Sequence, residues 1–260
     1  MIERVARLGY LCIGAVYIIV GLLAAAAARG HGGSTGGQKS AFAFLLDKPF
    51  GAVALVIIAI GLAGYAVWRF ASAFSDSEHR GSDAKGLALR FASVARGVIY
   101  AYLATEVVHM LLRRGTGGGG NDQQTRHWTA RLLEMPFGRW LVAAAGLGVV
   151  IYGAYQVYAA ATSKLSKQLA LGEIDAAPRR KVIAVSRFGI GARGVVFLVI
   201  GGSFLIAALH RNPTDAQGTS GAMHQIAEPL HGWLLVLIGF GLAAYGVYAL
   251  VNARYRRIRA

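Results

Sequence analysis

The sequence predicts an all-α polytopic membrane protein: six transmembrane helices forming three tandem helical hairpins with pseudo-three-fold symmetry. Three observations predict it. The 260-residue chain is 55% hydrophobic and only 15% charged, too apolar for an ordinary soluble domain. Its apolar residues come in blocks of about 20, enough for a helix rising about 1.5 Å per residue to cross a hydrocarbon core of about 30 Å. The blocks also repeat without gaps. Arg7, Gly14, Tyr17 and Gly21 match Arg90, Gly97, Tyr100 and Ala104, then Arg187, Gly194, Phe197 and Gly201; Pro49, Gly61 and Tyr65 match Pro136, Gly148 and Tyr152, then Pro229, Gly241 and Tyr245. Repetition on this scale fixes architecture before local propensity is consulted.

The first span, 8–28, follows Arg4 and Arg7 and ends in an alanine run, a pattern shared with secretory signals. Its counterparts in the third and fifth spans argue that it is retained. Tyr10, Gly14, Tyr17 and Gly21 share one face of it, as Ser93, Gly97, Tyr100 and Ala104 share one face of the third span, 94–112. Lipid supplies little hydrophobic drive between helices, so such small residues mark seams where backbones approach closely. The second, fourth and sixth spans, 50–73, 137–160 and 230–251, each open on proline, favoured in a first helical turn where its missing N–H is no loss. They repeat the seam pattern with Gly61, Tyr65 and Trp68, Gly148, Tyr152 and Tyr155, and Gly241, Tyr245 and Tyr248. The fifth span covers 190–209. The repeats are 1–75, 86–160 and 183–255, within one membrane domain over 1–260. Trp128, Trp140 and Trp233 at outer span ends and Trp68 at an inner one fit interfacial anchoring.

Glycine-rich outer loops around 30–37 and 115–120 lack the lysine and strand–helix setting of a phosphate-cradling loop. The linkers on the other side mix charges. Of the 27 lysines and arginines, 18 fall on the side of the N-terminus, and cytoplasmic segments hold the basic excess. Both termini are therefore expected in the cytoplasm. The formal charge of +15 sits at membrane edges rather than on one soluble surface, which points to anionic lipid headgroups and away from nucleic acid. The one cysteine, Cys12, lies in the first span and forms no intrachain disulfide.

Few polar groups fall within the spans. Arg96 and Arg193 stand six residues, or roughly 9 Å, beyond Arg90 and Arg187. A charge there snorkels to headgroup phosphates or contacts an anion, on a lipid or a translocated solute. Glu106 lies deepest. With His109 and Arg113 on the same helical face it forms either a proton or cation relay or a local structural cluster. Asp47, Glu134 and Glu228 beside the prolines are read as helix-start carboxylates or as an outer acidic ring at a pore mouth. No histidine or cysteine spacing gathers three or four ligands, so neither metal nor cofactor is expected. Catalytic residues are not expected either: there is no Gly-x-Ser-x-Gly elbow and no His-Glu-x-x-His motif.

Ala95-Arg96-Gly97 and Ala192-Arg193-Gly194, together with Pro49-Phe50-Gly51, Pro136-Phe137-Gly138, Gly61-Leu62-x-x-Tyr65 and Gly241-Leu242-x-x-Tyr245, resemble the bacterial DUF1206 family over essentially the whole chain. The resemblance implies a membrane protein built from three copies of a two-span unit, without an established biochemical activity. The first copy departs from it, with Cys12-Ile13-Gly14 where Ala-Arg-Gly stands in the others, so a role for the intramembrane arginine rests on two copies. The expectation is a protein of the bacterial cytoplasmic membrane that provides a small-solute or ion permeation pathway between the three hairpins. Its alternative is a non-transporting scaffold or anionic-lipid-binding protein.

Overall fold

The computed structural model describes residues 2–28, 37–74, 83–112, 121–162, 176–227 and 233–255. Six long helices carry the spans: α1 (Ile2–Ala28), α3 (Gly51–Phe74), α4 (Ala84–Leu112), α6 (Gly138–Ala161), α7 (Ala176–His210) and α9 (Trp233–Tyr255). Their membrane-competent stretches run Arg7–Ala28, Gly51–Phe74, Arg90–Leu112, Gly138–Ala161, Arg180–His210 and Trp233–Arg254. Shorter helices precede the second leg of each repeat. These are α2 (Gly37–Leu46), α5 (Asn121–Leu133) and α8 (Thr219–Ala227), the last introduced by a 3-10 turn at Pro213–Asp215. The chain is an integral membrane protein with six apolar helices and no strand among its described residues.

The six helices form a ring in the order α1, α3, α4, α6, α7, α9, and its broadest seams lie between repeats rather than within hairpins. The second leg of each repeat packs on the first leg of the next: α3 on α4, α6 on α7, and α9 back on α1. Each of these seams carries the same edge-on aromatic pair. Tyr65 and Tyr100 have ring centroids 4.7 Å apart, Tyr152 and Phe197 5.4 Å, and Tyr245 and Tyr17 4.7 Å. Beside each pair the glycine of the first leg meets a large side chain of the second: Gly14 meets Leu250, Gly97 meets Phe70 and Gly194 meets Val157. On α1 and α9 the approach is backbone to backbone, because a methyl on Gly21 would overlap the Gly239 carbonyl and one on Gly246 would overlap that of Gly14. Such approaches gain dispersion contact where lipid offers no hydrophobic drive.

Arg90 and Arg187 fasten these seams. Arg90 Nε donates to the Ala73 carbonyl at 2.6 Å and its Nη2 to Phe74 at 3.2 Å. Arg187 does the same to Ala160 at 2.6 Å and Ala161 at 2.7 Å. Each guanidinium thus satisfies carbonyls left without an N–H partner at the end of the preceding span, where the helix dipole also favours a cation.

Two of the second legs begin differently from the sequence expectation, and Pro229 of the third lies outside the described residues. Pro49 and Pro136 lie in a turn ahead of α3 and α6, and the residue after each proline carries the reversal: Phe50 has φ 64° and Phe137 φ 62°. Phe50 accepts from Ala54 N–H and Phe137 from Leu141 N–H, so each caps its helix in the left-handed region. Gly51 and Gly138 follow because a Cβ there would overlap the carbonyl of Leu45 or Leu132. The phenyl rings, 85% and 80% exposed, face outward with Trp140. Trp68 also departs from expectation. It is buried against Tyr10 and Tyr65 rather than anchored at an interface.

Candidate functional site

The ring encloses a cavity of about 840 Å³, within the range of about 300–1,000 Å³ typical of ligand sites. Its lining repeats three-fold. Ile13, Arg96 and Arg193 hold equivalent positions on α1, α4 and α7; so do Tyr17, Tyr100 and Phe197, and Leu62, Val149 and Leu242 on the second legs. The pseudo-three-fold axis therefore passes through the cavity. At the end away from the chain termini, Phe42 of α2 and Thr129 of α5 line it and are almost fully buried. There α5 packs on α6, α8 and the 3-10 turn, tied by Gly218 N–H to the Asp122 carboxylate at 2.8 Å and by Gln217 N–H to the Ser203 hydroxyl at 3.0 Å.

The walls are mostly apolar, with Gln38, Thr125, Thr129, Thr219 and the tyrosines as neutral polar groups, and the charged side chains among them are Arg96 and Arg193. Arg193 donates to the Tyr245 hydroxyl at 2.6 Å and stands over the rings of Tyr245, Phe197 and Tyr17 at 4.4, 4.9 and 5.3 Å. Its Nε is buried without a hydrogen-bond partner. Arg96 donates Nε to the Ala92 carbonyl of its own helix at 3.1 Å and faces the Tyr152 ring at 5.8 Å. Tyr152 is the ring that packs on Phe197, so both arginines adjoin one aromatic pair. Among the described residues no carboxylate lies within ion-pairing distance of either. Cation–π contact recovers about 0.5–2 kcal/mol per ring, less than a charge loses in leaving water.

Glu106 lies in a different setting. Its Oε2 is 2.8 Å from Lys39 Nζ on α2 and its Oε1 accepts from the Tyr102 hydroxyl at 2.8 Å. It ties α4 to α2. His109 is exposed on α4, and Arg113 lies outside the described residues. Asp47 and Glu134 end α2 and α5, donating backbone N–H to Ala43 and Ala130 at 3.2 and 3.1 Å; both are exposed and neither lines the cavity. Glu228 lies outside the described residues. Thus Arg96 and Arg193 converge on one site, while Asp47, Glu134 and Glu106 stand apart from it. Among the described residues no three histidine, cysteine or acidic side chains gather as metal ligands.

Two features escaped the sequence. Arg69, 2% exposed, donates to the Tyr65 hydroxyl at 2.9 and 2.5 Å and to that of Tyr10 at 3.3 Å; near the end of an apolar span it passes for an edge charge. The other is the middle hairpin, whose legs α4 and α6 scarcely touch among the described residues.

A ring of six membrane helices, built from three repeats around an arginine-bearing cavity, defines a class of integral membrane protein by architecture. The chain belongs to the DUF1206 family, a domain of unknown function, whose profile matches residues 8–76, 91–163 and 188–256. It is similar to the uncharacterised protein YxxB of Bacillus subtilis (strain 168), with 30% identity over 262 residues, covering 99% of this chain and 92% of the relative. No solved structure matches it significantly.

Proposed function

We propose that this protein is a non-enzymatic binding protein of the bacterial cytoplasmic membrane, with both termini in the cytoplasm, that holds an anionic ligand in its central cavity. One observation carries the reading: two guanidinium groups face a mostly apolar cavity with no carboxylate in reach among the described residues. Such a site carries a positive potential that a phosphate or carboxylate neutralises, and a guanidinium fork matches either geometry. The test is retention. Protein purified in mild detergent is expected to carry bound anionic species visible by native mass spectrometry. Arg96→Gln with Arg193→Gln should reduce that occupancy by roughly tenfold or more, as expected for losing charge-assisted hydrogen bonds. Equal retention by the double variant, with its melting temperature unchanged, would remove the reading.

Permeation along the axis is the second reading, supported by the three-fold lining of the cavity. The cover of α2, α5 and α8 at one end weighs against an open path. Liposome flux of protons, cations or small anions no higher than in empty vesicles would discard it.

A further inference from the structure

The three within-hairpin seams are equivalent by repeat, yet two are closed and one is open. In the first, a Cβ on Gly9 would press on Tyr65 and the Gly61 carbonyl, and one on Gly61 would overlap Cys12 Sγ. In the third, a Cβ on Gly189 would overlap the backbone of Tyr245, and one on Gly241 the Ala192 methyl. The middle hairpin has Ala92 where the others have Gly9 and Gly189. A methyl thus stands where the closed seams bring backbone against backbone. Gly148, the counterpart of Gly61 and Gly241, has nothing within 4 Å of its Cβ position. Ala95, the counterpart of Cys12 and Ala192, is exposed. Both Ala95 and Gly148 line the cavity, which therefore reaches the lipid-facing surface between α4 and α6.

Arg96 stands directly behind this opening, on the residue after Ala95 and facing Tyr152 of α6. Its counterpart in the first hairpin, Ile13, is 3% exposed behind a closed seam. On the outside, Phe91, Ile99, Leu147 and Ile151 flank the gap, all more than half exposed. The route from bilayer to arginine is apolar along its length, while short helices cover the end away from the termini. A water-soluble anion gains nothing from such a route; a molecule with a charged head and hydrocarbon chains matches both parts.

We infer that the cavity takes an anionic phospholipid, which enters sideways between α4 and α6 with its phosphate on Arg96 and Arg193 and its chains trailing through the open seam. This rests on the anion-binding reading and adds to it the ligand class and the door.

The test uses the full chain in nanodiscs containing phosphatidylglycerol or phosphatidylcholine with a photoactivatable diazirine on one acyl chain. Labelling is read by peptide mass at Val196 and Ile200 of α7, 4% and 9% exposed and shielded from surrounding lipid. Phosphatidylglycerol is expected to label them roughly tenfold more than phosphatidylcholine, a preference lost in the Arg96→Gln, Arg193→Gln variant. Gly148→Phe, filling the seam, should abolish interior labelling, and Ala92→Gly, restoring the glycine of the closed hairpins, should reduce it. Ile60→Phe, equal bulk on the lipid-facing side of α3, should not. Interior labelling that survives Gly148→Phe in a protein with unchanged melting temperature overturns the lateral door. If glycerol phosphate instead raises the melting temperature through Arg96 and Arg193 while no lipid labels the interior, the ligand is a soluble anion: the lipid inference fails and the anion site stands. If neither probe binds, both fail.

Discussion

One residue position, read three times, shows how much a neighbour decides. Gly61, Gly148 and Gly241 are equivalent in sequence, but the first abuts Cys12, the third abuts Ala192, and the middle one faces open space. The same substitution should therefore have opposite signs. Gly241→Ala forces a methyl into Ala192 and is expected to destabilise by about 1–3 kcal/mol, the usual cost of overpacking. Gly148→Ala meets nothing and removes a helix-interior glycine, for an expected gain of about 0.5–1 kcal/mol. Thermal unfolding in detergent micelles reads both; shifts of the same sign would show that the α4–α6 seam is closed in solution. Glu106 makes a related point. Its depth in an apolar span reads as functional, yet the group that neutralises it is Lys39, from a short helix 67 positions earlier in the chain. A sequence shows that a buried charge needs a partner without showing which one folds onto it.

At the scale of elements, the arginines that open the second and third repeats act on the repeat before them. Arg90 holds the last carbonyls of α3, and Arg187 those of α6. Arg90→Gln keeps a donor but loses the charge and the forked geometry, and is expected to cost about 2 kcal/mol, in line with hydrogen bonds to charged groups. Hydrogen exchange should accelerate at the amides around Ala73 and Phe74 while those at the start of α3 stay protected. Uniform acceleration along α3 would mean the arginine serves general stability instead. The repeated Arg-Gly-aromatic spacing was plain in the sequence, and the six spans it predicted each fall on one of the six long helices, though α4 and α7 begin 10 and 14 residues before the predicted starts of 94 and 190. Its partners were not legible, because a repeat shows what is alike along the chain and not which copy touches which. The same limit hid the Pro-Phe-Gly turn: proline signals a helix start, but the left-handed phenylalanine is dictated by the reversal from α2 into α3, a tertiary requirement. The open seam was written as one difference, Ala92 against Gly9 and Gly189, and matching repeats by their likenesses passes over it.

For the whole molecule, the ring order means that the first and last helices are neighbours. Gly14 faces Gly246 and Gly21 faces Gly239, so α1 and α9 run antiparallel and Ile2 and Tyr255 lie at the same end of the bundle. The seam that closes the ring is thus made by residues farthest apart in sequence, held by packing and not by chain connection. Joining Tyr255 to Ile2 and opening the chain between Thr162 and Ala176 leaves every described helix and seam intact. Helices packed about 8–10 Å apart need only a short bridge, roughly five residues at about 3.3 Å each. Such a circular permutant is expected to purify as a monodisperse species with a melting temperature close to that of the parent and the same sensitivity of bound anion to Arg96→Gln with Arg193→Gln. A permutant that aggregates, or that folds but no longer responds to those two arginines, would show that connectivity and not seam packing sets the ring. If it folds, the one gap in the circle, between α4 and α6, cannot be ascribed to chain ends pulling the ring apart. The lateral opening is then a property of the packed structure itself, in keeping with Ala92 standing where the closed seams have glycine.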